Sequence, residues 1–201
     1  ARPISKNAID NANVAEKEVC LVNQKNVFDE NPSSGALYDY GMVVSIKESF
    51  SLPNGDIRVY VQAKSIAKIK EVKKGEGFYK AVVEEYQYIE ENDPETNTKE
   101  ALRKMLLEDF KTYIELDGNN LDESAFSISE VYNLHRLADI IIYHLDLKAD
   151  EYYALLKELN TEKRLSLLHS ILSKEIDLKN LSIEIEEDVQ ENINQSQKEY
   201  Y

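Results

Sequence analysis

The side chains that could carry catalysis are few and scattered. The chain contains three histidines, His135, His144 and His169, and one cysteine, Cys20. No two histidines have the four-residue spacing of a metal-binding helix, and a zinc site would need further thiolates that the chain lacks. Each histidine lies in an apolar helical pattern, which is typical of a packed or rim side chain. We therefore predict no metal site and no catalytic residue in this sequence.

Adjacent carboxylates are the second residue type that could do chemistry. Pairs such as Glu84-Glu85 and Glu186-Glu187 would suit a glycosidase only at a set separation and with one raised pKa. The sequence also lacks a GxxxxGK[ST] phosphate loop, a GxSxG nucleophile elbow and a GxGxxG turn. A small hydrolase using an acidic pair stays an alternative, which turnover of simple ester, phosphate or glycoside substrates would support.

Composition narrows the class of partner. The 201 residues include 24 basic and 38 acidic side chains, which gives a net charge of −14. This balance disfavours nucleic-acid binding, since phosphate neutralisation needs clustered Lys and Arg. No apolar run approaches the roughly 20 residues of a membrane span, and the start shows no signal-peptide pattern. With a lone cysteine in the apolar run EVCLV, we predict a cytoplasmic protein without membrane or nucleic-acid partners.

The elements that would position a site fall into two groups, and the first group is rich in strands. The spacing of apolar residues predicts a short helix from Ile4 to Val14, with Ser5 as its N-cap, and a strand from Glu18 to Gln24 follows. Two β-branched runs then flank Asn54-Gly55, the preferred pair of a type I′ hairpin turn. Further strands are predicted at Ala67–Val72 and in FYKAVVEEYQYI. These strands favour a compact antiparallel sheet or partial barrel.

The second group is helical. The polar segment 90–100 separates it from the strands, so we predict domains at 1–92 and 93–201. Apolar residues then recur at helical spacing from Leu102, over Ser129–His144 and over Ala149–Leu159. A last helix is predicted from an N-cap at Thr161 to the end of the chain, about 60 Å long at 1.5 Å per residue.

The last helix changes character beyond Leu178. Its apolar positions thin to one narrow stripe among acidic residues: Leu181, Ile185, Val189 and Ile193. A stripe this narrow usually seats against one partner helix, as in a coiled coil. We predict a projecting helix whose stripe is an interface, and the alternative is a helix that lies back on its own bundle.

Four segments resemble the amino-terminal domain of the bacterial ATP-dependent protease Lon. The run YGMVVSIKESFSLPNGDIRVYVQAKSIAKI is similar to that family's strand–LPDG–strand signature. RLADIIIYHL, from Arg136, resembles the family's RLAD helix. KEIDL, from Lys174, and QSQKEYY, from Gln195, resemble its E-I-D-L and Q-R-E-Y-Y segments on a long helix. The segments occur in the family's order and cover nearly the whole chain.

The resemblance implies an α+β fold: a PUA-like β subdomain, a helical bundle and a long helix that leads to an AAA+ ATPase. It implies a homohexameric parent, an ATP-dependent serine endopeptidase that degrades misfolded and regulatory proteins. Its ATP and magnesium sites and its Ser-Lys dyad lie in other domains, so no cofactor is expected in this fragment. Two features depart from the family. The first two strands are missing before Ala1, and Gln62-Ala63 and Ile66 replace an E-G pair and an Arg.

We therefore expect a non-catalytic domain for substrate recognition and assembly. Its partners would be unfolded or degron-bearing proteins, caught by sheet edges and aromatic surfaces. The chain has 13 tyrosines, and the predicted contacts are Tyr38, Tyr40, Phe50 and Leu52. The alternative is a stand-alone adaptor that binds a ligand or degron without an ATPase. A GxxxxGK[ST] motif in the reading frame past Tyr201 would distinguish the two.

Overall fold

The computed structural model describes residues 2–14, 18–88, 97–117 and 128–199, except for the side chains of 13, 14 and 196–199. These residues belong to two compact units, Ala1–Gln87 and Tyr88–Tyr201. The domain boundary predicted between residues 92 and 93 falls on 89–96, outside the described residues, and stays a prediction.

The first unit is a helix followed by a four-stranded antiparallel sheet. Helix α1 begins at Pro3, whose fixed φ and missing N–H suit the first helical position, and it ends at Val14. The predicted cap at Ser5 is therefore wrong, because Ser5 lies inside the helix. The strands follow in the order β1-β2-β3-β4, each antiparallel to the next: Val19–Leu21, Tyr40–Ser51, Ile57–Lys74 and Tyr79–Tyr86.

Strand β3 is longer than its sequence pattern indicates. The strand predicted separately at Ala67–Val72 is the second half of one 18-residue strand. Its middle is buried because it pairs on both sides: Ile66 lies opposite Met42 in β2 and opposite Tyr86 in β4. Strand β1 is conversely shorter than predicted, and Gln24 forms only an isolated bridge with Leu37.

The β2–β3 turn is not the two-residue type I′ turn that Asn54-Gly55 predicts. Leu52 N–H donates to Asp56 O at 2.7 Å, and Gly55 N–H donates to Leu52 O at 3.0 Å. The loop therefore contains three residues, and Gly55 takes the left-handed conformation with φ 85°. Pro53 explains the difference, because its ring fixes a negative φ that suits the first central position of a type I turn. Such a turn followed by a left-handed glycine is the common three-residue hairpin.

The second unit is helical. Its described helices are α2 (Asn97–Leu116), α3 (Leu134–His144), α4 (Ala149–Lys157) and α5 (Thr161–Glu199). Leucines and isoleucines at helical spacing form its core, which includes Leu106, Leu137, Ile141, Leu155, Leu165, Leu168 and Leu172, all without solvent exposure or nearly so. The expected α+β architecture, with a sheet followed by helices and a long last helix, is confirmed.

Capping residues set the helix starts differently from the prediction. Helix α3 begins at Leu134 rather than Ser129, because the Asn133 side chain accepts the Arg136 N–H at 2.9 Å. Helix α5 is capped by Asn160 and not by Thr161, since Asn160 Oδ1 accepts the Lys163 N–H at 3.0 Å. Helix α5 spans 39 residues, about 58 Å of rise. Among the described residues, no helix is both long and apolar enough to span a bilayer.

A glycine in β2 sets how closely β1 can approach. A Cβ atom added to Gly41 would lie 2.3 Å from the carbonyl oxygen of Leu21, which belongs to the backbone and cannot rotate away. We predict that Gly41→Ala lowers the free energy of unfolding by about 1–3 kcal/mol, because β1 must shift away from β2. Urea unfolding followed by tyrosine fluorescence measures this change.

The matched control is Gly35→Ala, where an added Cβ meets no heavy atom within 4 Å. We expect this variant to stay within about 0.5 kcal/mol of the parent chain. Equal stability of the two variants would show that β1 is not held against β2 in this register.

Candidate functional site

Both outer strands of the sheet line one cavity of about 600 Å³. Helix α1 contributes Ile4, Ala8 and Ala12 to its wall, the face that the sequence spacing predicts. Strand β4 contributes Tyr79, Ala81, Val83 and Glu85, which alternate along one face of the strand, and also Lys80. The cavity is thus a space between helix α1 and the inner face of the sheet.

Strands β1 and β4 are the two edge strands of the sheet. Among the described residues, β1 pairs only with β2 and β4 pairs only with β3. Each edge therefore presents one row of backbone N–H and C=O groups that an extended chain could satisfy. Val19 and Val83, on these two strands, are half-buried and would lose further exposed apolar surface under such a chain.

Polar contacts attach helix α1 beside this opening. The Arg2 guanidinium donates to Val27 O at 2.7 Å and to the Gln24 side chain, just after β1. Asn7 Nδ2 donates to Gly77 O at 3.1 Å, in the turn between β3 and β4. Helix α1 is therefore held to the segment that follows β1 and to the turn that precedes β4.

Cys20 lies in the wall of this cavity. Burial, and then the nearby Glu85 carboxylate, raise the pKa of its thiol. A raised pKa is the opposite of what a nucleophilic cysteine needs. Cys20 therefore serves as a small apolar side chain, and it offers a chemical reporter of cavity occupancy.

A second apolar surface lies at the β2–β3 hairpin. Phe50 is 50% exposed and Tyr60 is 53% exposed, and their rings meet edge-on with centroids 6.0 Å apart. Phe50 lies opposite Arg58 in the register, so Tyr60 is its diagonal neighbour on the same face. Ile57 and Val59 are half-buried on the opposite face, as the sequence alternation predicts. The hairpin thus presents an aromatic pair to solvent.

The four predicted contact residues do not form one site. Tyr38 and Tyr40 lie at the start of β2, where both are half-buried, and Lys68 Nζ sits 5.9 Å from the centre of the Tyr40 ring. Phe50 and the half-buried Leu52 lie at the other end of that strand, about 30 Å away along the backbone. Their role in binding stays a prediction. The hairpin pair also includes Tyr60, which the sequence reasoning missed because a diagonal contact depends on the register.

The histidines contact neighbouring side chains, although His144 is itself exposed. His169 Nδ1 lies 2.7 Å from Asp109 Oδ2, and Ser173 Oγ donates to the same oxygen at 3.4 Å. In a Ser-His-Asp triad the serine must instead bond the second histidine nitrogen, so this cluster is not a triad. His144 packs on the Phe110 ring at 5.5 Å. Among the described residues, no group of three or more potential ligands could hold a metal ion.

The most buried charge belongs to Arg164, which is 2% exposed. Its Nη2 donates to Asp139 Oδ1 at 2.6 Å, and its Nε donates to Leu155 O at 3.1 Å. Its Nη1 faces both the carbonyl oxygen and Nδ1 of His135, at 3.3 and 3.4 Å. The guanidinium also lies 4.2 Å from the Tyr88 ring centre, and one side chain of α5 thereby joins α3, α4 and the start of this unit.

The protonation state of His135 follows from this geometry. A guanidinium only donates hydrogen bonds, so His135 Nδ1 must accept and its ring proton must lie on Nε2. That nitrogen is 3.1 Å from Thr161 Oγ1, to which it donates a hydrogen bond. The cluster was missed from the sequence, although Arg164 precedes Leu168 and Leu172 at steps of four on a buried face, a spacing that could have revealed it.

The predicted interface stripe on α5 is exposed. Every described side chain from Asn180 to Gln195 is exposed, and the fractions are 52% for Leu181, 53% for Ile185, 52% for Val189 and 45% for Ile193. Within its own unit this stretch therefore does not lie back on the bundle. Its role as an interface stays a prediction.

Comparison with known proteins gives a consistent result. The sequence profile of the ATP-dependent protease La (LON) substrate-binding domain matches residues 1–174. Over its full length the chain is 34% identical to a Lon protease of Brevibacillus choshinensis and 31% identical to a Lon protease of Clostridioides difficile. It spans about a quarter of those relatives, 25% and 26% of their lengths.

A solved structure shares the fold. The N-terminal domain of Mycobacterium avium complex Lon protease superimposes with a TM-score of 0.62 over 85% of each chain, at 20% sequence identity. The shared fold is an α+β domain with an open sheet, a helical bundle and a long helix. The profile match assigns this domain to the substrate-binding class.

The chain belongs to the Lon family, as its N-terminal substrate-binding domain. The expected resemblance is thus confirmed. The alternative of a stand-alone adaptor is not favoured, because the relatives matched along the whole chain are Lon proteases.

Tyr88 gives the helical unit a stability that depends on pH. Burial raises the pKa of the Tyr88 phenol from 10.0 to about 12, although the Arg164 charge opposes this shift. The unfolded phenol therefore ionises first, and stability that is complete below pH 10 is lost as the pH rises towards 12. We predict that this group costs the folded state up to about 2.7 kcal/mol across that range.

Urea unfolding of the parent chain and of Tyr88→Phe across this pH range tests the prediction. The parent should lose more stability than the variant, while Tyr143→Phe, at an 85% exposed position, should follow the parent. Identical pH dependence in all three proteins would contradict a buried Tyr88 phenol.

Proposed function

We propose that the chain recognises substrates for, and helps to assemble, a longer ATP-dependent serine endopeptidase of the Lon type. The family membership supports this role, and the relatives that share it are Lon proteases about four times as long. In this proposal ATP and magnesium bind to the rest of the parent protein, and this domain carries no catalytic residue. The parent acts in the cytoplasm on misfolded and regulatory proteins.

The aromatic pair at the hairpin carries the proposal for where substrates bind. Unfolded segments expose apolar side chains, and folded proteins mostly hide them, so an exposed aromatic surface distinguishes the two. Phe50 and Tyr60 are each about half exposed on one face of the hairpin. Tyr38 and Tyr40, at the far end of β2, offer a further contact for a long segment.

The open sheet edges supply a second, backbone-directed contact. An extended segment beside β1 or β4 would satisfy unpaired N–H and C=O groups, whatever its sequence. The alternating wall of Tyr79, Ala81 and Val83 would receive every second side chain. Such recognition suits a protein that must bind many unrelated substrates.

Weak single contacts are sufficient in an assembly. We propose affinities between millimolar and micromolar for one domain, about 4–8 kcal/mol. In a homohexamer, several domains would hold one unfolded chain and raise the apparent affinity. The stripe of Leu181, Ile185, Val189 and Ile193 would seat on a neighbouring subunit, so that α5 positions the domain within the ring.

Removing the hairpin surface tests the proposal. We predict that Phe50→Ser with Leu52→Ser weakens binding of a reduced and carboxymethylated protein by roughly tenfold, because the apolar contact is lost. Phe50→Ser with Tyr60→Ser should do the same without touching the half-buried Leu52. Fluorescence anisotropy measures binding, and circular dichroism checks that the variants fold.

Tyr143→Ser is the control, since it removes an exposed aromatic side chain from the other unit. It should leave the affinity within about twofold of the parent value. Equal binding by all of these variants would show that Phe50, Leu52 and Tyr60 do not contribute to substrate binding.

The alkylation rate of Cys20 tests whether a substrate segment binds at the sheet edges. We predict that a saturating unfolded peptide slows alkylation of Cys20 by roughly fivefold, because a chain in the cavity covers the thiol. The control is Cys20→Ser with Ser166→Cys, which moves the thiol to an exposed position on α5. An unchanged Cys20 rate with bound peptide would limit substrate contact to the hairpin.

A further inference from the structure

The exposed part of α5 carries an apolar stripe with an unusual spacing. Its residues follow one another at steps of three, four, four and four: Leu178, Leu181, Ile185, Val189 and Ile193. At about 100° per residue, all five lie within about 60° of one line along the helix, over about 22 Å. Each is 45–53% exposed, so the stripe is continuous and accessible.

This spacing does not suit a two-stranded coiled coil of identical helices. A left-handed coiled coil needs alternating steps of three and four residues. Continued from Ile185, that seam would pass through Asp188, Asn192 and Gln195, which are all polar. The observed mean step of about 3.75 residues exceeds the 3.6 residues of a helical turn. The stripe therefore winds around the helix in the sense opposite to the seam of a left-handed coiled coil.

The charges beside the stripe all have one sign. From Asn180 to Gln195 the five charged residues are all acidic: Glu184, Glu186, Glu187, Asp188 and Glu191. By helical position, Glu184 and Asp188 lie on one flank and Glu186 lies on the other. The nearest cation in the chain, Lys179, already donates to Asp117 Oδ1 at 2.5 Å and lies 4.7 Å from the Tyr113 ring centre.

If this stretch paired with the same stretch of a second copy, carboxylates of the two helices would therefore lie opposite one another. Because both flanks are acidic, parallel and antiparallel pairs of two copies alike place like charges across the seam. A helix with a matching apolar stripe and lysine or arginine flanks would instead bury the same side chains with opposite charges facing.

We infer that the stripe of α5 docks a cationic amphipathic helix and not the same stretch of a second copy. The inference rests on the proposed assembly role and specifies the chemistry of the surface that the stripe meets. The apolar side chains supply the contact area, and Glu184, Glu186 and Asp188 select the partner by charge.

Two peptides that differ only in charge test the inference. One has the sequence of residues 178–195, and the other carries Lys in place of each of its five acidic residues. The whole chain should bind the lysine peptide at least roughly tenfold more tightly than the native peptide, with an affinity that falls as salt is added. Fluorescence anisotropy of the labelled peptides measures both.

Matched variants of the chain separate specific docking from general attraction. Asp188→Asn neutralises one flank position beside the stripe, and Glu187→Gln removes the same charge from the opposite face of the helix. The flank variant should weaken binding of the lysine peptide several-fold more than the control. Ile185→Gln with Val189→Gln should abolish binding, although all charges remain.

Equal weakening by the two charge variants, or full binding by the Ile185→Gln, Val189→Gln variant, would overturn the inference. Sedimentation of the whole chain gives a separate result. Self-association that Ile185→Gln with Val189→Gln abolishes would overturn the inference while supporting the assembly role. Absence of both self-association and lysine-peptide binding would overturn both.

Discussion

The helical unit depends on one buried cation. Arg164 lies in the first turn of α5 and donates to Asp139, to Leu155 O and to the backbone of His135. Lysine could not replace it, because the contacts use three nitrogens of a planar fork. Through this one side chain the start of the long helix is fixed against α3 and α4. The direction of the exposed stripe, about 20–40 Å further along α5, follows from that attachment together with the apolar packing of Leu165, Leu168 and Leu172.

The two units divide the chemistry of the chain between them. Residues 1–87 contain 12 basic and 12 acidic side chains, whereas residues 88–201 contain 12 basic and 26 acidic ones. The net charge of −14 therefore belongs to the helical unit alone. A neutral sheet with exposed aromatic side chains suits contact with segments of any charge, while an acidic helix suits a partner selected by charge. In the proposed function, recognition and assembly would therefore use different physical forces on different units.

In the proposed function, the open edges of the sheet are what allow it to bind an extended segment. A closed barrel has no unpaired backbone rows, and a flat sheet with free edges risks aggregation. Here the two edges line one cavity and helix α1 lies beside the opening, attached through Arg2 and Asn7. The bulges in β2 and β3, including one between Ile69 and Glu71, bend the strands that form this inner face. Backbone groups at the edges and aromatic rings at the hairpin then offer two kinds of contact that need no particular sequence.

The sequence by itself determined the element types, the order of sheet and helices, and the exposed stripe, because these follow from local periodicity and from motifs in a fixed order. Tertiary structure decided what depends on partners far apart in the chain. The register placed Tyr60 beside Phe50 and joined two expected strands into β3, and packing gathered Arg164, His135 and Tyr88 into one cluster. Pro53 changed the turn, and Asn133 and Asn160 set helix starts, because backbone hydrogen bonds select among local alternatives that periodicity leaves equal.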